Sequence, residues 1–305
     1  MRDISVIVAS YRRPEFLARC LDALANQRVP PAETIVVARR GDKATRATAE
    51  PWPDTRVVEV ESPGVLAALR RGCEAASSGL IAFTDDDAAP RADWIGSLVE
   101  HFALDVGGVG GRDMIAAEPV ADPTLTVGLV NPWGKLVGNH HLGAGAPREV
   151  DVLKGVNMAF RREALELPTR LRGAGAQVHW EVAVSLAART RGWRLVYDPA
   201  IVVDHFVAPR LDADQRVRPA ASAIADAAYN LQLTMLTIPY ARRWRRVAYS
   251  LLVGDRGAPG LARTLAGAVR LEGAVLTSAG PAATGNLKAI ADYCRGVRVT
   301  NEVKN

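Results

Sequence analysis

The chain begins with an unbroken apolar run, ISVIVAS at residues 4–10, and then changes period. Such runs suit strands buried on both faces of a parallel sheet. In PEFLARCLDALANQ (14–27), Phe16, Leu17, Cys20, Leu21 and Leu24 fall on one stripe at helical spacing, and Pro14 suits a first turn. TIVVA (34–38) predicts a second strand. RVVEVE (56–61) predicts a third, and its alternation marks it as an edge. GVLAALRRGCEAAS (64–77) predicts a helix, LIAFT (80–84) a fourth strand, and ADWIGSLVEHFA (92–103) another helix. Strands alternating with helices predict an α/β domain on a largely parallel central sheet flanked by helices.

After residue 107 the texture changes. VGGVGGRDMI reads as a glycine-bent strand, followed by a loop-rich stretch with Pro119, Pro123 and Pro132. VNMAFRREAL (156–165) predicts a strand running into a helix. WEVAVSLAARTRG (180–192) predicts a helix capped by Gly192. RLVYDPAIVVDHF (194–206) predicts two short strands around Pro199. From about residue 219 the pattern is helical and rich in Ala, Leu and Arg. Two parts are expected: a first domain over 1–210 and a C-terminal helical extension over 211–305.

Composition narrows the class. With 305 residues and 49% hydrophobic content the chain can bury a sizeable core. The net charge of +5 suits an anionic ligand or surface. The basic residues are dispersed and no nucleic-acid-binding signature is present, so no nucleic-acid partner is expected. Cys20, Cys73 and Cys294 lack metal or redox spacing and read as thiols of a reducing compartment, which places the protein in the cytoplasm. MRDISVIVAS does not read as a signal peptide. AAYNLQLTMLTIPYA (227–241) is too short and too polar to span a membrane.

Candidate chemistry enters with GLIAFTDDDAAPRADW. Asp85, Asp86 and Asp87 follow the fourth strand, and in open α/β sheets ligands sit beyond the carboxyl ends of strands. Alternation puts Asp85 and Asp87 on one side and Asp86 on the other. Two carboxylates on one side suit Mn²⁺ or Mg²⁺, whose shell is completed by water and phosphate oxygens. The alternative is a solvated acidic turn leading into the next helix.

Together with ISVIVASYRRPEFLARCLDALANQ, VGGRDMI, GVNMAFRREAL and RGWRLVYDPAIVVDHF, this segment resembles the family 2 glycosyltransferases of GT-A fold. The likeness is ordered along residues 4–206. It implies an inverting transfer from a nucleoside-diphosphate sugar to an acceptor hydroxyl, assisted by Mn²⁺ or Mg²⁺. It assigns Asp85 to the donor nucleotide and Asp87 to the metal, with Asp86 a ribose contact or a supporting residue. It assigns Ala9, Ser10, Tyr11 and Arg12 to the nucleotide, Tyr11 against the base and Arg12 against a phosphate; otherwise Arg12 and Arg13 are a solvated helix entrance. Two departures stand out. Ala38, Arg39 and Arg40 occupy the place where the family has an acid, with Asp42 beyond, and Leu69 stands where many members carry an arginine.

Counting back from RGW, the resemblance makes Glu181 the general base, or else an ordinary acid favoured by the helix dipole in a first turn. His205 is a third metal ligand, or a strand-end histidine held by Asp204. His140 and His141, in GNHHLG, line the acceptor pocket or sit on a surface loop. Asn157 points into the sugar or acceptor site. Trp133 and Trp180 stack on a sugar or belong to the core.

Two rivals remain. A nucleotidyltransferase making sugar nucleotides shares the plan, but SYRRPEF is not a glycine-rich, lysine-bearing loop. A non-enzymatic anion-binding module at a membrane surface rests on ARRWRRVAYSLL and gives the acidic cluster no purpose. Within the transferase reading, the same C-terminal helices are candidates for peripheral contact with the inner face of a membrane.

Overall fold

The apolar runs become the strands of one mixed sheet. The structure is a computed structural model describing residues 3–115, 121–212, 214–215, 219–238 and 242–300. Pro119 and the 239–241 end of the apolar C-terminal stretch lie outside the described residues. The elements are β1 (Ile4–Ser10), α1 (Pro14–Ala25), β2 (Glu33–Arg39), α2 (Lys43–Ala49), β3 (Thr55–Val60), α3 (Val65–Ala75), β4 (Leu80–Asp85), β5 (Ala88–Pro90), α4 (Trp94–Glu100) and β6 (Val106–Ile115). There follow β7 (Leu129–Val130), β8 (Leu136–Val137), β9 (Arg148–Val150), β10 (Met158–Arg161), α5 (Trp180–Thr190), β11 (Arg194–His205), α6 (Ala221–Thr237), α7 (Arg243–Leu252), α8 (Leu261–Val269) and α9 (Gly273–Cys294).

The chain forms two units. The first comprises Met1–Leu129, Gly138–Leu165 and Arg191–Ala208; the second comprises Val130–Val137, Glu166–Thr190 and Pro209–Asn305. In the first, the sheet order is β3-β2-β1-β4-β10-β6-β11-β5, with β9 also paired to β11. Strands β1 to β4 are mutually parallel, β10 runs against β4 and β6, and β6 is parallel to β11. The continuous apolar strands β1 and β4 are central and buried, while alternating β3 is the edge. The stripe of α1 packs Leu17, Cys20, Leu21 and Leu24 into a core with Ile4, Val6, Val8 and Trp94.

Local differences from the expected pattern have local causes. Helix α2 was not foreseen; Asp42 caps it by accepting from the Thr45 N–H at 3.2 Å and the Thr45 hydroxyl at 2.7 Å. After β10 the chain makes turns rather than a helix, with Ala164 N–H bonded back to Arg161. Arg161 and Arg162 instead aim their guanidinium groups at backbone carbonyls of Val106 and Ala76. The two strands expected around Pro199 are one strand, β11, whose register against β6 shifts between Asp198 and Val202. A proline fits in a sheet at such an irregularity. Beside it the chains approach closely: a Cβ on Gly111 would collide with the Ile201 carbonyl.

The second unit packs α6 against α9. The contact needs Gly285, since a side chain there would meet the Ala225 carbonyl. Its interior is partly polar. Tyr229 donates to Asp292 at 3.0 Å, and the Asn230 side chain holds both the N–H and the carbonyl of Arg172. The basic segment of α7 is not wholly solvated. Arg246 is buried, donates to Gln232 at 3.0 Å and to the Gly134 carbonyl at 2.9 Å, and lies near Asp255. Among the described residues, no helix is long and apolar enough to cross a membrane.

Candidate active site

The parallel register of β1 and β4 aligns Ala9 with Asp85, so the residues that follow on both strands emerge side by side. Ser10 donates to Asp86 Oδ2 at 2.8 Å, and Arg13, from the entrance of α1, donates to Asp86 Oδ1 at 2.8 Å. Asp86 is buried. Burial raises its pKa to about 6, with the Arg13 charge opposing and the Asp87 charge assisting. Arg13 therefore stands inside the site as a counter-ion, not as a solvated helix entrance.

Asp87 turns the other way. Its Oδ2 accepts from the Ala208 N–H at 2.7 Å, and its carbonyl accepts from the Phe206 N–H at 2.8 Å. These bonds tie the end of β4 to the segment leaving β11 and bring in His205. The His205 Nε2 lies 3.4 Å from Asp87 Oδ1 and the Nδ1 lies 3.7 Å from Asp113 Oδ2. These are ion-pair separations, and among the described residues neither ring nitrogen has a hydrogen-bond partner. Burial works against the His205 charge, but Asp113, Asp87 and Asp85 outweigh it and raise the pKa to about 9. Burial likewise opposes the charge on Asp87 and Asp113, yet their contacts with His205 hold both carboxyls below the usual range. Asp204 does not hold His205; it makes a two-pronged pair with Arg91 at 2.9 and 3.1 Å.

Asp85, Asp87 and His205 each offer one ligand atom within 4.8 Å of the others. Two carboxylate oxygens and an imidazole in this spacing form a donor set for a divalent cation. Asp113, which the sequence reading passed over, braces the imidazole from behind. The sequence shows only that it follows Arg112 at the charged end of a glycine-rich strand.

The loop after β1 carries the second group of candidates. Tyr11 has the Arg39 guanidinium 3.9 Å from its ring centroid and that of Arg12 at 5.1 Å. Arg12 adopts φ 54, and its N–H donates to Asp42 Oδ2 at 2.8 Å. The carboxylate beyond β2 thus secures this loop and caps α2 together.

Other candidates are placed differently. Asn157 is buried. Its carbonyl accepts from the Trp94 indole at 2.8 Å, and its amide donates to the carbonyls of Arg112 and Ile201 at 3.0 and 2.9 Å. Its two N–H bonds and its oxygen are all engaged within the protein. His140 is buried, with Nε2 2.8 Å from the Val152 carbonyl and its ring edge-on to Tyr197. Burial lowers its pKa to about 4, so the ring is neutral and donates this bond. His141 is half-buried. Glu181 is half-buried in the first turn of α5, and Trp180 beside it is buried; both belong to the second unit. Trp133 is exposed and meets Trp244 edge-on at 6.1 Å.

Residues 2–221 match the family described as "Glycosyltransferase like family 2". The chain is 26% identical over 171 residues to a glucosyl-dolichyl phosphate glucuronosyltransferase of Haloferax volcanii, covering 52% of this chain and 53% of that protein. It therefore spans about half the length of that relative. It is 29% identical over 217 residues to glycosyltransferase AglE of the same organism, covering 68% of this chain and 67% of that one. Among solved structures, the mannosyltransferase PcManGT from Pyrobaculum calidifontis, in complex with GDP-Man and Mn²⁺, matches 95% of this chain and 85% of its own, with a TM-score of 0.54 and 21% identity. Glucosyl-3-phosphoglycerate synthase from Mycobacterium tuberculosis, with Mn²⁺ and UDP-glucose, gives 0.53 at 21% identity over 79% of this chain and 81% of that one. At such identity the likeness is one of fold.

Proposed function

Since the chain belongs to the glycosyltransferase-like family 2, we propose that it moves a sugar from a nucleoside-diphosphate sugar to an acceptor hydroxyl, with inversion at the anomeric carbon. The observation that carries this reading is the cluster of Asp85, Asp87 and His205 at the carboxyl ends of β4 and β11. The GDP-Man, UDP-glucose and Mn²⁺ named for the two structural neighbours support it.

The donor set fits Mn²⁺ or Mg²⁺. Both carboxylates are hard oxygen ligands, and among the described residues neither ring nitrogen of the buried imidazole is taken up by a hydrogen bond. Asp85, Asp87 and His205 would hold the ion, and a cation there would neutralise charge on the leaving diphosphate. Ser10 and Arg13 fix Asp86 and with it the turn that presents its two neighbours. Tyr11, flanked by Arg12 and Arg39, offers a flat, cationic-edged surface for the nucleotide. Glu181 takes the acceptor proton as the hydroxyl attacks the anomeric carbon; its support is its place in the family pattern and in the first turn of α5. Inversion needs no covalent enzyme intermediate.

The test is a thermal-shift series with nucleoside diphosphates, each with and without Mn²⁺. One diphosphate should raise the melting temperature only when the ion is present. If none does so, with or without the ion, the donor assignment fails.

A further inference from the structure

The exposed apolar surface of the second unit gathers around α8. Leu261, Leu265 and Val269 recur at every fourth position and share one helical face. They are 59%, 59% and 86% exposed. The opposite side carries Gly267, which is buried and abuts Val275 of α9. Before α8 the chain doubles back, with the Gly260 N–H bonded to the Val253 carbonyl at 3.0 Å. That bond sets the exposed side chains of Leu252 and Val253 beside the start of the helix. Leu271 follows its end and is 85% exposed. A soluble monomer seldom leaves so many large apolar side chains together in water.

The charge of this stretch of sequence is one-sided. Between residues 240 and 298 there are ten Lys or Arg and three Asp or Glu, while the whole chain is only +5, so the remainder is net acidic. The three acids are engaged: Asp255 with Tyr249, Glu272 with Arg270, and Asp292 with Tyr229 and Arg172. Arg256 is exposed in the turn before α8, and Arg270 is exposed at its end. A second copy of this face would set one cationic rim against another. An anionic lipid surface complements both its parts.

We propose that the α8 face is a membrane-docking surface that lies in the interface of an anionic bilayer, with Leu261, Leu265 and Val269 toward the acyl chains and the neighbouring arginines at the phosphates. The helix lies in the plane of the membrane and does not span it. The basic segment of α7 plays the smaller part, because Arg246 is committed to the interior. The proposal does not depend on the transferase reading.

Sedimentation with vesicles tests it, using equimolar phosphatidylcholine and phosphatidylglycerol against phosphatidylcholine alone. The protein should pellet with the anionic vesicles and bind the neutral ones at least ~10-fold less, and added salt should release it. The triple variant Leu261→Ser, Leu265→Ser, Val269→Ser should keep the parent melting temperature, since all three are exposed, and lose at least ~10-fold in vesicle partition. A second variant, Arg256→Glu with Arg270→Glu, should lose selectivity for the anionic vesicles and guards against misfolding of the first. Parent protein that stays in the supernatant, or a folded triple variant that pellets like the parent, overturns the proposal. Light scattering that shows a dimer split by the triple variant, without vesicle binding, assigns the face to a second copy instead.

Discussion

Asp87 sits in the turn between β4 and β5, and His205 ends β11, the strand that pairs with β5; Nε2 of the histidine lies 3.4 Å from Oδ1 of the aspartate. Two bonds continue that pairing, from the N–H groups of Phe206 and Ala208 to Asp87. The end of β11 is thereby fastened to the end of β4. Among the described residues, the histidine's ring nitrogens have carboxylates nearby but no hydrogen-bond partner.

Asp87→Ala should therefore abolish metal-dependent turnover while the protein remains folded. Isothermal titration with Mn²⁺ should show the binding heat lost. Chelation of the parent by EDTA should stop transfer, and Mn²⁺ or Mg²⁺ should restore it. Turnover that survives chelation would remove the ion from the reaction.

Asp113 touches the imidazole and is not in the ligand set. Asp113→Asn should weaken metal affinity by roughly 10–100-fold, as loss of an outer partner does. Saturating Mn²⁺ should recover most of kcat, which a merely destabilised protein would not show.

Glu181→Gln keeps the shape of the side chain and removes its basicity. Donor binding, read by thermal shift with a nucleoside diphosphate and Mn²⁺, should be unchanged. Transfer should fall by about 10²–10⁴. Transfer at the parent rate would show that another group accepts the proton.

Asp42→Ala removes three acceptor bonds, two from Thr45 and one from the Arg12 N–H. The cap alone is worth about 1 kcal/mol, measurable by urea unfolding at neutral pH. Burial opposes the Asp42 charge, but bonds from Thr45 and Arg12 prevail and lower its pKa. A lowered carboxyl stabilises the fold above its unfolded pKa, near ~3.9. That contribution disappears as pH falls through the folded value. The stability gap between parent and variant should thus be full at neutral pH and close in strong acid.

Asn157→Ala should cost stability with no direct loss of donor binding. It leaves the buried Trp94 indole and two strand carbonyls without their partner, at about 1–3 kcal/mol for each group left unsatisfied. Thermal unfolding checks the first part and the nucleotide thermal shift the second.

The parallel half of the sheet was legible because its strands are apolar on both faces, and period alone reveals that. The edge role of β3 was legible from its alternation. Asp85 and Asp87 were legible as acids at a strand end, but Asp86 and Asp87 form a turn there, so their sides are set by that turn and its anchors rather than by strand alternation. Asn157 and His140 show where such reading ends. A polar residue in an apolar segment looks the same whether it faces a ligand or ties two strands together, and only its partners distinguish them. Asp113 was invisible because its relation to His205 depends on the register of β6 against β11, which pairs Asp113 with Val203 and Ile115 with His205. No local pattern encodes that register. The short helix α2 was missed because its stability begins with a cap and ends within seven residues, too few to show a period.

The alignment of Ala9 with Asp85 sets the point at which the acidic turn leaves β4. One residue inserted or deleted between Leu80 and Asp85 would shift that turn against its two sets of anchors. Asp86 would lose its place opposite Ser10 and Arg13, or Asp87 would lose its bonds from Phe206 and Ala208. The composition would hardly change, yet the cation seat would be dismantled. Length in this strand should therefore be guarded more strictly than the identity of any of its apolar side chains.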